Sequence, residues 1–427
     1  MRALAFKIKE SISGRRVLKN VEDLRNSYGK KTDLQERRFA NILQHAIKTT
    51  EFYSSYGGYF TLQSCPVIDK QTIKENYDQF LSRGFLKENL YKMTTSGSYG
   101  TPFTFYLSKE KKLKQQAEVI YFGEWSNYFV GTKHAYLMTK SKSKLKLFFQ
   151  NEIIMAPYTL DLQWLEQQRN ILRKQKPKVL IGYTSAIVTL ANYIISKKDN
   201  FILDGVITVS EVLSEEHREI IKKAFRATPL SRYSTQEFGV LANECPQETK
   251  HHLNNVNYII EILDIDKDIP AKPGELGRVV VTDLFSHAMP LIRYDTGDLA
   301  ILGQGTCKCG LETPYLEVIS GRLVEEVFDV NGNTVSGFAV NGAMQDIENV
   351  LQYQFVQEGE NEYRMIIIKI NNFDGENKIK ARFQEFLGRN AKIIFEYTDE
   401  IPPLKSGKRP YIINKMKKSS SLSVNRQ

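Results

Sequence analysis

The sequence predicts an α/β protein: a large multi-layered α/β domain with a β subdomain, followed by a small α+β domain. Three observations carry this. Short apolar runs at 135–138, 178–183 and 205–209 alternate with helical patterns over 185–196 and 214–225, the order that builds a mostly parallel, helix-covered sheet. From residue 258 the texture changes, because YIIEILDID (258–266), the turn IPAKPGELG and RVVVTDL (278–284) read as an antiparallel pair. A chain of 427 residues also exceeds what one hydrophobic core supports, so two domains are expected.

The elements follow in chain order. The first thirty residues read as a short surface arm or an amphipathic helix. Residues 34–49 carry apolar positions at helical spacing, at Leu34, Phe39, Ile42, Leu43, Ala46 and Ile47. Asp69 is placed to cap the helix after PVID. FTFYLS (103–108) alternates with period two and reads as a strand, and a long helix is expected over 108–129. Past Gly321-Arg322 a second domain begins: EEVFDVNGNTVSG is a hairpin turning at Asn331-Gly332, and the segments up to 415 give an α+β pattern. The expected division is 1–320, 321–415 and a basic tail over 416–427.

Composition narrows the function. Hydrophobic content of 41% and charged content of 25% are those of a soluble globular chain. No run of about eighteen apolar residues exists, so no membrane span is expected. Net charge is +10, but the basic residues are scattered, with clusters at 109–114, 140–146 and 415–427. Such runs read as solvated faces, so nucleic acid is not the expected partner; polyanionic small molecules such as ATP suit the charge better. Four cysteines and no secretory leader point to a reducing compartment, the cytoplasm.

Cys245 precedes His251 and His252, and Cys307-Lys308-Cys309-Gly310 forms a tight knuckle. Thiolates and imidazole are the usual zinc ligands, and a closed site needs four of them. Two unrelated polar loops are the plainer alternative. Cys65 reads as a small buried hydrophobe.

Four further segments belong together: Thr94-Thr95-Ser96-Gly97-Ser98-Tyr99-Gly100-Thr101-Pro102, YSTQEFG (233–239), RYDTGDL (293–299) and SGK (406–408). A loop of glycines and hydroxyls can wrap a phosphate, since glycine permits close approach and N–H and O–H groups donate to anionic oxygens. No Gly-Lys-Ser/Thr follows, so this is not a P-loop. In order and spacing the set resembles the adenylate-forming superfamily, and within it the phenylacetate–CoA ligase branch with its capsular-polysaccharide-associated (CapK-type) and F390-synthetase-like members. The resemblance spans roughly residues 35–415.

The resemblance implies a two-step reaction and a mobile small domain. A carboxylate attacks the α-phosphate of Mg-ATP to give an acyl-adenylate and pyrophosphate, and CoA or another acceptor then displaces AMP. It implies that Thr95, Ser96, Gly97, Ser98, Gly100 and Thr101 cradle the β- and γ-phosphates. Tyr233 would lie against adenine, Glu237 would hold magnesium, and Asp298 would accept the ribose hydroxyls. Arg322 would act at the hinge, and Lys408 would bridge carboxylate and α-phosphate. Taken singly, each also has a turn or loop reading. The branch also places a structural zinc on Cys245, Cys307, Cys309 and one histidine; His252 is preferred and His251 stays open. Tyr183, Ser185, Ser210 and Glu211 fall where the acyl pocket is usually lined.

The chain departs from the superfamily at Ser98-Tyr99, Thr101 and Gln236, and Leu323-Val324 stands where a hinge acid is usual. A non-catalytic scaffold that binds a nucleotide or a partner is therefore the alternative to a ligase.

Overall fold

The centre of the molecule is one eleven-stranded sheet. Its strands are β3 (His134–Leu137), β4 (Glu152–Ile154), β5 (Val179–Tyr183), β6 (Gly205–Val209), β7 (Pro229–Thr235), β8 (Gly239–Glu244), β9 (His251–Leu253), β10 (Tyr258–Leu263), β11 (Leu276–Asp283), β12 (Tyr294–Leu302) and β13 (Tyr315–Ser320). They lie in the order β10-β11-β12-β13-β9-β8-β7-β6-β5-β3-β4. A separate hairpin pairs β1 (Tyr91–Thr94) with β2 (Thr104–Leu107). The computed structural model describes residues 6, 10, 16–30, 33–54, 61–94, 104–138, 142–155, 162–272, 274–320, 327–335, 340, 343–344, 347–370, 372–402 and 410–416. Thr95, Ser96, Gly97, Ser98, Gly100, Thr101, Arg322 and Lys408 lie outside the described residues.

From β4 to β7 the pairing is parallel, and from β7 onward it is antiparallel. The two textures seen in the sequence therefore meet within a single sheet. The β subdomain is its continuation, joined through the β7–β8 hairpin. The parallel strands are apolar throughout because both faces are covered: all five residues of β5 and of β6 are buried.

The helices are α1 (Val17–Ser27), α2 (Leu34–Thr49), α3 (Glu51–Ser54), α4 (Lys70–Glu75), α5 (Lys109–Glu124), α6 (Lys144–Gln150), α7 (Leu162–Gln175), α8 (Thr184–Ser196), α9 (Glu215–Phe225) and α10 (Glu376–Leu387). Asp69 caps α4 by accepting from the Thr72 amide at 2.7 Å. Of the two readings of the N-terminal segment, the amphipathic helix holds: Val17, Val21 and Leu24 of α1 are buried in a cluster with Ala117 and Phe122 of α5. The 109–114 lysine run is not a solvated face. Lys111 and Lys114 are buried, Lys111 forming an ion pair with Asp283 at 2.6 Å.

C-terminal to the large sheet, β14 (Val327–Phe328) and β15 (Thr334–Val335) pair across a turn where Gly332 has φ +82°. A four-stranded sheet follows in the order β18-β17-β16-β19, from β16 (Val350–Gln357), β17 (Glu362–Lys369), β18 (Lys392–Tyr397) and β19 (Ile412–Asn414). Ile379, Phe383 and Leu387 of α10 fill its core. This sheet is docked: Leu351, Ile368 and Ile401 join the apolar cluster that contains α8, and Tyr411 stacks on His217 of α9 at 5.3 Å.

Candidate functional site

The segment YSTQEFG is the end of β7 and the turn into β8, so Glu237 sits on a strand-to-strand turn. That turn is held from below by α5. Gln115 Nε2 donates to the carbonyls of Gln236, Glu237 and Phe238 at 3.3, 3.4 and 3.0 Å. Glu118 Oε2 accepts from the Val240 amide at 2.9 Å, and its Oε1 lies 2.7 Å from Asn257 Nδ2 and 2.8 Å from the Tyr258 hydroxyl. Gly239 is required between them: φ is +123°, and a Cβ would fall 2.2 Å from Glu118 Oε2.

Burial pushes the Glu118 carboxyl up. The Lys111 ammonium and the hydrogen bonds from Asn257, Tyr258 and Val240 pull the other way. Sequence reasoning missed Gln115 and Glu118. The available signal was polar side chains on a helix face that also carries Ala117 and Phe122, a conflict that marks buried polar contacts.

The YDTGD segment is the first part of β12. Tyr233 Oη donates to Asp298 Oδ2 at 2.7 Å. Three strands separate β7 from β12 in the sheet order, about 19 Å along a flat sheet. Two side chains cannot span that distance, so the sheet curls to bring the strands together. The strand is pinned locally: Asp295 Oδ1 accepts from the Gly297 amide at 2.8 Å, and Arg278 pairs with Asp295 at 2.8 Å. Arg293, with φ +50°, pairs with Glu261 at 3.0 Å and donates to the Cys65 carbonyl at 2.9 Å. Glu237 itself is buried.

At the carboxyl ends of the parallel strands, Ser210 adopts φ +69°. Glu211 turns back to cap α8, its Oε2 accepting from the Ser185 amide at 2.6 Å and its Oε1 from the Ser185 hydroxyl at 3.1 Å. The Glu211 carboxylate is therefore occupied in holding the helix start, and Tyr183 beside it is buried. Tyr411, three positions after Lys408, lies within electrostatic reach of Glu211.

At the far end of β8, Cys245, His252, Cys307 and Cys309 converge, with one ligand atom from each lying within 4.8 Å of all the others. Cys245 Sγ is 3.5 Å from Cys307 Sγ, and Cys309 Sγ is 3.2 Å from His252 Nε2. Tetrahedral zinc with Zn–S near 2.3 Å puts sulfurs about 3.8 Å apart, so the donor set fits. His252 Nδ1 lies 2.7 Å from Thr313 Oγ1, which orients Nε2 toward the thiols. Burial pushes the Cys245 thiol up, but hydrogen bonds with His252, Cys307 and nearby backbone win and bring it down to about 6. His251 points elsewhere, 3.9 Å from Glu244, which Arg218 neutralises at 2.8 Å.

Residues 327–415 match the family described as the CapK C-terminal domain. Protein CapK of Staphylococcus aureus is 26% identical over 412 residues, covering 90% of this chain and 89% of that protein. The chain is a CapK homologue. A phenylacetate-coenzyme A ligase of Thermus thermophilus is 28% identical over 199 residues, 45% of this chain and 44% of that one.

Among solved structures, 2-hydroxyisobutyryl-CoA ligase in the postadenylation state with 2-HIB-AMP superposes with TM-score 0.72 at 16% identity, covering 90% of this chain and 89% of that one. Its open conformation with 2-HIB-AMP and CoA gives 0.58 at 17% identity, covering 89% of this chain and 90% of that one. The fold of this CapK homologue is that of the adenylate-forming ligases.

Proposed function

We propose that the chain activates a carboxylic acid with ATP, forming an acyl-adenylate and releasing pyrophosphate, and then passes the acyl group to CoA. The observation that carries this reading is the contact between Tyr233 and Asp298 beside the buried Glu237 turn. An ionised carboxylate held by a phenol, next to an aromatic face, suits a ribose diol and the base attached to it.

In the first step an oxygen of the substrate carboxylate attacks the α-phosphorus of ATP as the bond to the β-phosphate oxygen breaks. The protein's work is alignment and charge neutralisation. Asp298 accepts from the ribose hydroxyls, and Tyr233 Oη keeps that carboxylate oriented. Glu237 supplies oxygen ligands to magnesium, and Lys408 bridges the attacking carboxylate and the α-phosphate. Residues 95–101 cradle the departing pyrophosphate. Tyr411, the residue before β19 of the docked C-terminal sheet, stacks beside His217, which favours delivery of Lys408 to the carboxyl ends of the parallel strands.

In the same reading, residues 321–415 are a mobile unit hinged at Arg322, and 416–427 are a basic tail. Cys245, His252, Cys307 and Cys309 hold a structural zinc that fixes β8 and β9 to the loop before β13. An amine or sugar hydroxyl in cell-surface polysaccharide assembly is the alternative acceptor to CoA.

The test is carboxylate-dependent ATP–pyrophosphate exchange over a library of acids. Exchange is expected with the full chain and is lost in Lys408→Ala and Glu237→Gln, while Asp298→Ala weakens ATP binding. A protein that binds ATP but shows no exchange with any acid would be a scaffold instead.

A further inference from the structure

Next to Tyr233 on β7 stands Arg232, a residue to which neither the motif pattern nor the mechanism gives a role. It is 6% exposed, and its Nε and Nη2 have no hydrogen-bond partner. Among the described residues it forms no ion pair. Burial pulls its guanidinium below the usual range, and the groups acting against that are the phenols of Tyr136 and Tyr128, not a carboxylate. An arginine cannot shed its proton in a protein, so the charge stays. A buried cation without a counterion is strongly destabilising, and such a cost is retained where a ligand supplies the missing charge.

The register says where that charge lies. Arg232 pairs with Val209, Val209 with Tyr183, and Ile181 with Tyr136. Paired residues of neighbouring strands point to the same face, and residues two apart on a strand share it. Arg232, Val209, Tyr183 and Tyr136 therefore share one face at the carboxyl ends of the parallel strands, where open α/β sheets receive ligands. Tyr233, one residue on, points to the other face and meets Asp298. The strained Ser210 follows directly on Val209. A carboxylate on the Arg232 face, Glu152, gives its Oε2 to His134 at 3.2 Å and to Lys142 at 2.5 Å, while its Oε1 has no hydrogen-bond partner and makes no ion pair with Arg232. It leaves Arg232 uncompensated.

We propose that Arg232 anchors a second anionic group of the acid this chain activates, so the substrate class is carboxylic acids that carry a further carboxylate or phosphate away from the reacting carboxylate. This rests on the ligase reading above and narrows it. The guanidinium offers a planar, bidentate fork that matches either oxyanion. The Tyr136 and Tyr128 phenols beside it supply additional polar groups for the same oxygens.

The experiment is equilibrium binding and thermal shift on the full chain, with glutarate, 3-phosphoglycerate and butyrate as probes, without ATP. Glutarate or 3-phosphoglycerate is expected to raise Tm where butyrate does not, and the stronger of the two identifies carboxylate or phosphate as the distal group. Arg232→Met is expected to weaken that probe roughly a hundredfold while the ATP-induced shift persists. Arg232→Lys should recover only part of it. In the ligand-free state Arg232→Met is expected to have an unchanged or raised Tm, since an uncompensated buried charge is gone. Equal binding of butyrate and the two probes with a second anionic group, or binding of those probes unchanged in Arg232→Met, overturns the proposal. Because the acid-probe measurements contain no nucleotide, their failure is separable from a failure of pyrophosphate exchange, which would sink the ligase reading instead.

Discussion

The two ends of β8 are fixed by opposite kinds of chemistry. At its start, the Glu237 turn is held by Glu118, Gln115, Lys111 and Tyr258, a buried network of charges and amides. At its end, Cys245 meets His252, Cys307 and Cys309 in a compact set of soft donors. In the network each carboxylate faces a cation or hydrogen-bond donors within the chain. The thiol cluster gathers donors that suit a metal. A single strand thus joins a hydrogen-bonded turn to a knuckle of candidate metal donors, and the expectation is that either end can be perturbed without disturbing the other.

That contrast gives its own tests. The largest effect belongs to the thiol end. With zinc bound, Cys307→Ser or exhaustive chelation is expected to cost on the order of 5 kcal/mol of stability, read as a fall in urea midpoint together with loss of one zinc per chain by elemental analysis. His252→Ala should do the same, whereas His251→Ala should retain the metal. A chain that never holds zinc, or one whose stability ignores its removal, would leave the two ends chemically alike.

At the other end, Glu118→Ala leaves the buried Val240 amide and Asn257 Nδ2 without an acceptor and is expected to cost about 3 kcal/mol with zinc content unchanged. If metal is lost as well, the ends are not independent. Gly239→Ala comes next, at about 2 kcal/mol, because the added Cβ meets Glu118 Oε2 at 2.2 Å in a left-handed backbone. The double variant with Glu118→Ala should cost less than the sum, which a thermodynamic cycle measures directly.

The smallest effect is Tyr233→Phe. Removing one hydrogen bond to Asp298 should weaken nucleotide binding by about 1 kcal/mol, roughly fivefold, with no change in either end of β8. Calorimetric titration with ATP decides it, and a loss as large as that of Asp298→Ala would give the phenol a greater part than orientation.

Much of this was legible in the chain. The helix at 34–49, the Asp69 cap, the strand at 205–209 and the Asn331-Gly332 turn rest on local periodicity and turn chemistry, which act over a few residues. Tyr233 and Asp298 were singled out through the order of several loose motifs, and the cysteine-histidine set through its spacing and the family resemblance; the structure brings each set together in space. Lys111 shows the limit. Inside a lysine-rich run it looks solvated, yet it lies beneath the sheet paired with Asp283. Gln115, Glu118 and Arg232 were silent for the same reason, since their partners, or lack of partners, come from strands a hundred residues away or several strands across.

The order of strands and helices, and the residue types able to bind phosphate, ribose or metal, were set by the sequence alone, because propensity and local hydrogen bonding need only near neighbours. The tertiary structure decided which charges are buried, which are compensated, and that β7 and β12 face each other across a curled sheet. Desolvation and Coulomb energies depend on every group within several ångströms in space. One-dimensional spacing does not hold that information.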